Sequence, residues 1–301
     1  MRSQLLRRGV RTAAVATLTF ATAVGGASGA TAQRHGASPI DVTVNASGIK
    51  APHHHEGGRV AFRVSTDAKD GRQLQVVRPH KGVPISRVLR DLADAVSHTP
   101  SKAAAGMRAF EADAEAVGGA FVTRKVHEEF ITSIPAGTVY LIDFTAFLDR
   151  PTKPVVKSLK LYGSHGGHHK ALTRSPHSTV TFRDTDAGPR FRTEGLVTSH
   201  KPILIRNAST EIHEAQIQRV TAGTTDRGLR AYFDAMAQNK KAKSPFTGQP
   251  VGFGGISPGH TALLRIHGLK PGTYALTCWV PDEHSGLPHV FMGMYKIVHL
   301  R

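Results

Sequence analysis

The residues best suited to chemistry cluster late in the chain. Cys278 is the only cysteine among 301 residues. A lone thiol in an exported chain forms no internal disulfide, so it is either a buried small apolar residue or a chemical group in use. His284, His289, Met292 and Met294 follow it, and His213 lies upstream in Asn207-Ala-Ser-Thr-Glu-Ile-His213. Two other histidine groups stand apart. His53, His54 and His55 precede Glu56 in a turn-like segment, and His165, His168, His169 and His177 lie in a Gly/Ser-rich stretch. Clustered imidazoles capture copper, zinc or nickel, but irregular loops impose no fixed geometry, so these are read as solvated segments. Hydrolytic chemistry finds no support. There is no nucleophile elbow and no His-Glu-x-x-His, and Asp143, Asp149 and Glu194 stand isolated. Gly252-Phe-Gly-Gly-Ile256 lacks the spacing and the following helix of a phosphate loop.

The run Pro271-Gly-Thr-Tyr-Ala-Leu-Thr-Cys278, followed by His289-Val-Phe-Met-Gly-Met294, resembles the ligand loop of the cupredoxins, the blue-copper proteins. In that family a strand ends in cysteine, and a histidine and then a methionine follow. A further histidine comes from an upstream strand near an asparagine, the place filled here by Asn207 and His213. The resemblance implies one copper site with His213, Cys278 and His289 as equatorial ligands and Met294 axial. His284 and Met292 are the alternates. Ten residues separate Cys278 from His289, a longer loop than in the small members of the family.

The donor types suit the chemistry that the resemblance implies. Two imidazoles and a thiolate in a trigonal array, with a weak thioether, serve both copper oxidation states, so little moves when an electron arrives or leaves. Cys278 shares strand parity with Tyr274 and Leu276, which points its sulfur into the sandwich. Asn207 is the expected outer hydrogen-bonding residue, tying the ligand-bearing strands together.

The elements that must position these residues recur in two copies. Val60 to Val64, Leu74 to Val77, Gly82 and a helical pattern in the first half match Ile203 to Asn207, Ala215 to Gln218, Gly223 and a helical pattern in the second. The offset is 141 residues from Leu74 to Ala215. Val88, Leu92 and Ala95 correspond to Leu229, Phe233 and Met236 at helical spacing, with Ser86 and Thr225 or Asp226 as N-caps. Gly118-Gly119 pairs with Gly254-Gly255, and Pro135 to Asp143 pairs with Lys270 to Cys278. At the matched positions the first copy carries Arg72 in place of His213 and Asp143 in place of Cys278, so the ligand types occur together only in the second.

Short alternating strands between Gly and Pro turns predict an all-β fold: two tandem antiparallel Greek-key sandwiches, each with a short inserted helix lying outside and covering one end. The expected boundaries are a signal peptide over 1–32, a cupredoxin-like domain without ligands over 33–163, a Gly/His/Ser-rich linker over 164–177, and the copper-bearing domain over 178–301. The leader is read from Arg2, Arg7, Arg8 and Arg11, the short apolar run Ala13–Val24, and Ala30-Thr-Ala32 before the cleavage point. That run is too short to span a bilayer, and no other stretch is long and apolar enough.

The chain carries a formal charge of +17, about +13 once the four leader arginines are removed. Such a charge favours an anionic cell-envelope surface or an acidic partner. Nucleic acid is set aside because the cations are scattered, without an aromatic-interleaved basic motif. The expectation is therefore a secreted copper-binding protein that carries electrons or handles copper with a redox or copper-delivery partner. It is not expected to be an enzyme: Thr277 and Trp279 flank Cys278, where copper oxidases and nitrite reductases place a histidine. The alternative is a metal-free module of the same fold that binds through its basic surface.

Overall fold

The structure is a computed structural model and describes residues 38–163 and 178–301. The expected leader and linker lie outside these residues. The first half contributes β1 (Ile40–Asn45), β2 (Gly48–Lys50), β3 (His54–Glu56), β4 (Gly58–Ser65), β5 (Arg72–Pro79), α1 (Ile85–Ala95), α2 (Pro100–Asp113), β6 (Ala114–Val122), β7 (His127–Ile134), β8 (Gly137–Asp143), α3 (Phe144–Asp149) and β9 (Val156–Tyr162). The second contributes β10 (Ser178–Arg183), β11 (Arg190–Glu194), β12 (Ile203–Asn207), β13 (His213–Arg219), α4 (Asp226–Ala237), β14 (Val251–Ile256), β15 (Thr261–His267), β16 (Gly272–Thr277) and β17 (Tyr295–Leu300).

Alternation drives the strands. In β4, Val60, Phe62 and Val64 are buried while Arg59 and Arg63 face solvent. Two sheets stack through such faces. One runs β11-β10-β12-β15-β7-β4-β1-β2, the other β17-β16-β13-β14-β6-β5-β8-β9-β3. Each half supplies strands to both sheets, and the pairs β15–β7 and β14–β6 join them edge to edge. The sheets are mixed rather than purely antiparallel, because β1–β4, β10–β12 and β3–β9 pair in parallel. This corrects the antiparallel expectation. Alternation sets which side chains face inward but is blind to strand direction.

At the seam the repeated glycines have a steric task. A Cβ on Gly119 would stand 2.1 Å from the Leu74 carbonyl oxygen, and one on Gly254 would stand 2.9 Å from the Gly119 Cα. Only hydrogen fits there. Gln75 spans the junction: its amide Nε2 donates to the carbonyls of Val76, Gly118 and Gly255, and its Oε1 accepts from Gly255 N. Phe130 stacks on Phe62 at 4.9 Å and meets Phe253 of the second half edge-on at 5.6 Å.

The helices cover the outer face of the nine-stranded sheet, not one end of the sandwich. Val88, Leu92 and Ala95 pack with Val77, Ala116 and Ile142, while Leu229 and Phe233 pack with Ala275 and Val290. Thr225 caps α4 by accepting from Gly228 N at 3.1 Å. Ser86 is not a cap, because α1 begins at Ile85 after Pro84. The first half also holds a second long helix, α2, that the sequence reading did not separate. Its Pro100 start and the spacing of Ala103, Met107 and Phe110 are its local signal. His54–Glu56 forms strand β3 on the edge beside β9, not a turn.

Candidate metal centre

The site is assembled by three segments of the second half. His213 opens β13, where a β-bulge between His213 and Ala215 shifts the register against β14. Such bulges re-aim side chains, and here His213, Glu214 and Ala215 are all buried. Cys278 directly follows β16. The chain then loops outward and returns as a 3-10 turn over His289–Met292. Gly293 at φ +95° reverses it, so Met294 re-enters the core ahead of β17.

Main-chain bonds lace the three segments. Val290 N donates to Cys278 O at 2.8 Å, Cys278 N to Met294 O at 3.3 Å, and Met294 N to His289 O at 3.0 Å. His213, Cys278, His289 and Met294 are each 0% exposed. His213 Nδ1 lies 3.1 Å from His289 Nδ1, and each nitrogen lies 3.6 Å from Cys278 Sγ. Glu214 N points at the same sulfur from 3.5 Å.

This donor set fits a single metal ion. Nitrogen and sulfur ligands bind at about 2.0 and 2.3 Å, so an ion shared by all three leaves them about 3–4 Å apart. Burial first, then the neighbouring His289, holds the His213 imidazole well below its ordinary range. Burial first, then Glu214, pushes the Cys278 thiol well up. Two imidazole nitrogens and a thiol facing one another in a dry pocket are poorly matched as hydrogen-bond partners but well matched as ligands. The His213 ring packs against Phe182, and its Nε2 finds no hydrogen-bond partner among the described residues.

The alternates differ in burial and position. His289 is brought to the sulfur, whereas the His284 side chain is 77% exposed and faces Glu283. Met294 is buried in the core cluster that contains Cys278, while Met292 is only partly buried. Asn207 departs from its expected role. Its Nδ2 donates to the carbonyls of Glu211 and Ile256, and its Oδ1 accepts from Ser209, so it braces the loop before His213 and ties it to β14. The link to the cysteine-bearing strand is made instead by Glu214, whose carboxylate accepts from Trp279 N at 3.0 Å. Burial pushes the Glu214 carboxyl up to about 7.

Sequence reasoning missed the outer surround of His289. Its Nε2 lies 3.0 Å from Glu211 Oε2. Glu283 N donates to that same oxygen at 3.1 Å, and Glu111 of α2 accepts from Ile212 N at 3.2 Å. Burial, with Glu283 alongside, raises the Glu111 carboxyl to about 8. Nothing local marks Glu211 or Glu111, because their partners are remote in the chain.

No family model matches the chain, and no curated protein does. Among solved structures it is similar to dithionite-reduced auracyanin from the photosynthetic bacterium Roseiflexus castenholzii, at 14% identity over 41% of this chain and 94% of that one, with a TM-score of 0.25. Rusticyanin from Thiobacillus ferrooxidans is 14% identical over 41% of this chain and 76% of that one, at 0.24. A multicopper oxidase is 10% identical over 88% of both chains, at 0.23. Likeness of this degree carries no argument, and the chemistry rests on the residues themselves.

Proposed function

We propose that this chain is an exported copper-binding protein of the cupredoxin type, acting in electron transfer or copper handling at the cell envelope. His213, Cys278 and His289 would hold the ion, with Met294 as a further donor. One observation carries the reading: three donor atoms of the right kinds lie 3.1–3.6 Å apart, fully buried, at one point. When bound, copper supplies one-electron chemistry between its two oxidation states. The chain's own residues hold the donors in place before any ion arrives. Main-chain bonds fix the return of the loop, Phe182 packs against the His213 ring, and Glu214 N directs a hydrogen at the sulfur. The dry surround excludes water that would otherwise compete as a ligand.

The carrier reading is favoured over an oxidase by the flanks of Cys278. Thr277 and Trp279 leave no histidine adjacent to Cys278 in sequence to connect a second copper centre. Export rests on the basic and apolar leader pattern; among the described residues no helix is long and apolar enough to cross a membrane.

The test is to add Cu(II) to the purified metal-free protein. One equivalent is expected to bind with the intense visible absorption of a thiolate–copper bond, and Cys278→Ser is expected to abolish it. A folded protein that stays colourless would overturn the reading and leave a metal-free module working through its basic surface.

A further inference from the structure

The second imidazole of the centre does not end at solvent. The His289 ring is 0% exposed, and its outer nitrogen meets a carboxylate oxygen of Glu211 at 3.0 Å. A carboxylate only accepts hydrogen bonds, so the proton of the neutral ring sits on Nε2 and the Nδ1 lone pair faces Cys278 and His213. The tautomer needed for ligation is thus selected from outside the pocket.

Glu211 is itself held on several sides. Its Oε2 also accepts from Glu283 N, and its backbone carbonyl accepts from Asn207 Nδ2 at 2.8 Å and Ser209 Oγ at 3.1 Å. Two of the bracing contacts come from α2, in the half of the chain without ligands. Glu111 takes the Ile212 amide, between Glu211 and His213, and Arg108 donates to the Glu283 carbonyl. The start of α2 also abuts the 282–288 loop, since a Cβ on Gly286 would fall 1.8 Å from the Pro100 carbonyl oxygen. One helix therefore touches both loops whose meeting brings Glu211 to His289.

We propose that Glu211 is the positioning residue of the centre, selecting the ligating tautomer of His289, and that α2 of the first half is the clamp that holds it there. This deepens the proposed function, because it assigns the half without metal ligands a part in preparing the site. It rests on that reading only for its purpose; the tautomer and the clamp are properties of the metal-free chain.

The experiment is nitrogen-15 NMR of the His289 ring in the full metal-free protein at neutral pH, for wild type, Glu211→Leu, Glu211→Gln and Arg108→Ala, with Cu(II) affinity measured in parallel. Wild type should show the Nε2–H tautomer. Glu211→Leu should lose that preference and bind Cu(II) about 10–100-fold more weakly. Glu211→Gln, which retains an acceptor oxygen, should restore the tautomer and provides the answer if the leucine variant does not fold. Arg108→Ala should speed exchange of the His289 ring proton about tenfold by loosening the clamp. An Nδ1–H tautomer in wild type, or a tautomer unaffected by the leucine change, overturns the role of Glu211; unchanged exchange in Arg108→Ala overturns that of α2. If the tautomer responds as expected but wild type takes up no copper, the metal reading fails and the positioning stands.

Discussion

Arg72 Nε lies 3.8 Å from Asp143 Oδ2, at the two positions where the second half carries His213 and Cys278. The equivalence is structural. Leu74 pairs with Asp143 in the first half, and the pairing of Gln216 with Thr277 places Ala215 beside Cys278 in the second. Where one copy gathers metal donors, the other closes the same space with an ion pair. Asp143 also caps α3 by accepting from Ala146 N at 3.1 Å.

Asp143→Ala should destabilise the protein by about 2 kcal/mol, combining the loss of a helix cap with a largely buried arginine left without its carboxylate. Adding Arg72→Met should recover part of that loss, since the orphaned charge is then removed. Urea denaturation of the two variants checks it; additive losses would show that the pair is not coupled.

Both sheets run unbroken from one half into the other, through β14–β6 and through β15–β7, so unfolding should be a single transition by fluorescence and by circular dichroism. Gln75→Leu leaves the Gly118 and Gly255 carbonyls without their amide donor, and a loss of about 2–4 kcal/mol is expected. Gly119→Ala should be at least as damaging, because its methyl group has backbone on the far side. Two separable transitions in wild type would contradict this.

Glu128 makes stability depend on pH. It is 0% exposed, accepts from Gly252 N at 2.5 Å across the gap between the sheets, and its Oε2 has no partner among the described residues. Burial raises its carboxyl well above the ordinary 4.5, against the backbone bonds that lower it. A raised folded pKa means that folding retains a proton which the unfolded chain releases. Its contribution is therefore complete below pH 4.5 and declines as pH rises from there through the folded value. The slope can reach about 1.4 kcal/mol per pH unit. Glu128→Gln should flatten the stability profile over that range, as read by thermal melts at stepped pH.

Metal-free Cys278 should resist alkylation while folded. Its sulfur is buried and its thiol pKa is raised, so both access and thiolate are lacking. Modification by iodoacetamide should be at least about 100-fold slower than in urea, which corresponds to an opening of only about 2.7 kcal/mol. Mass spectrometry of a time course measures it, and equal rates in both conditions would count against a closed pocket.

Much of the scaffold is legible locally. The alternation of Val60, Phe62 and Val64, the helical spacing of Leu229 and Phe233, and the inward parity of Cys278 with Tyr274 and Leu276 all follow from the periods of strand and helix. The halves can be aligned because those periods recur in the same order. The Gly118-Gly119 and Gly254-Gly255 pairs are visible as a repeat, yet their use in bringing two strands into contact is not. Period alone also could not separate α2 from its neighbours, or reveal that three strand pairs run parallel.

What the sequence by itself determined is which side chains face inward and which donor types sit near the ends of the second copy's strands, because facing is set by residues two to four positions apart. Only the tertiary structure decided that His289 rather than His284 reaches the sulfur, that Glu211 covers its outer edge, and that a helix from the first half leans on both loops. Those outcomes depend on contacts between residues as far apart as Glu111 and Ile212, where loop closure and packing choose among many arrangements that share the same local pattern.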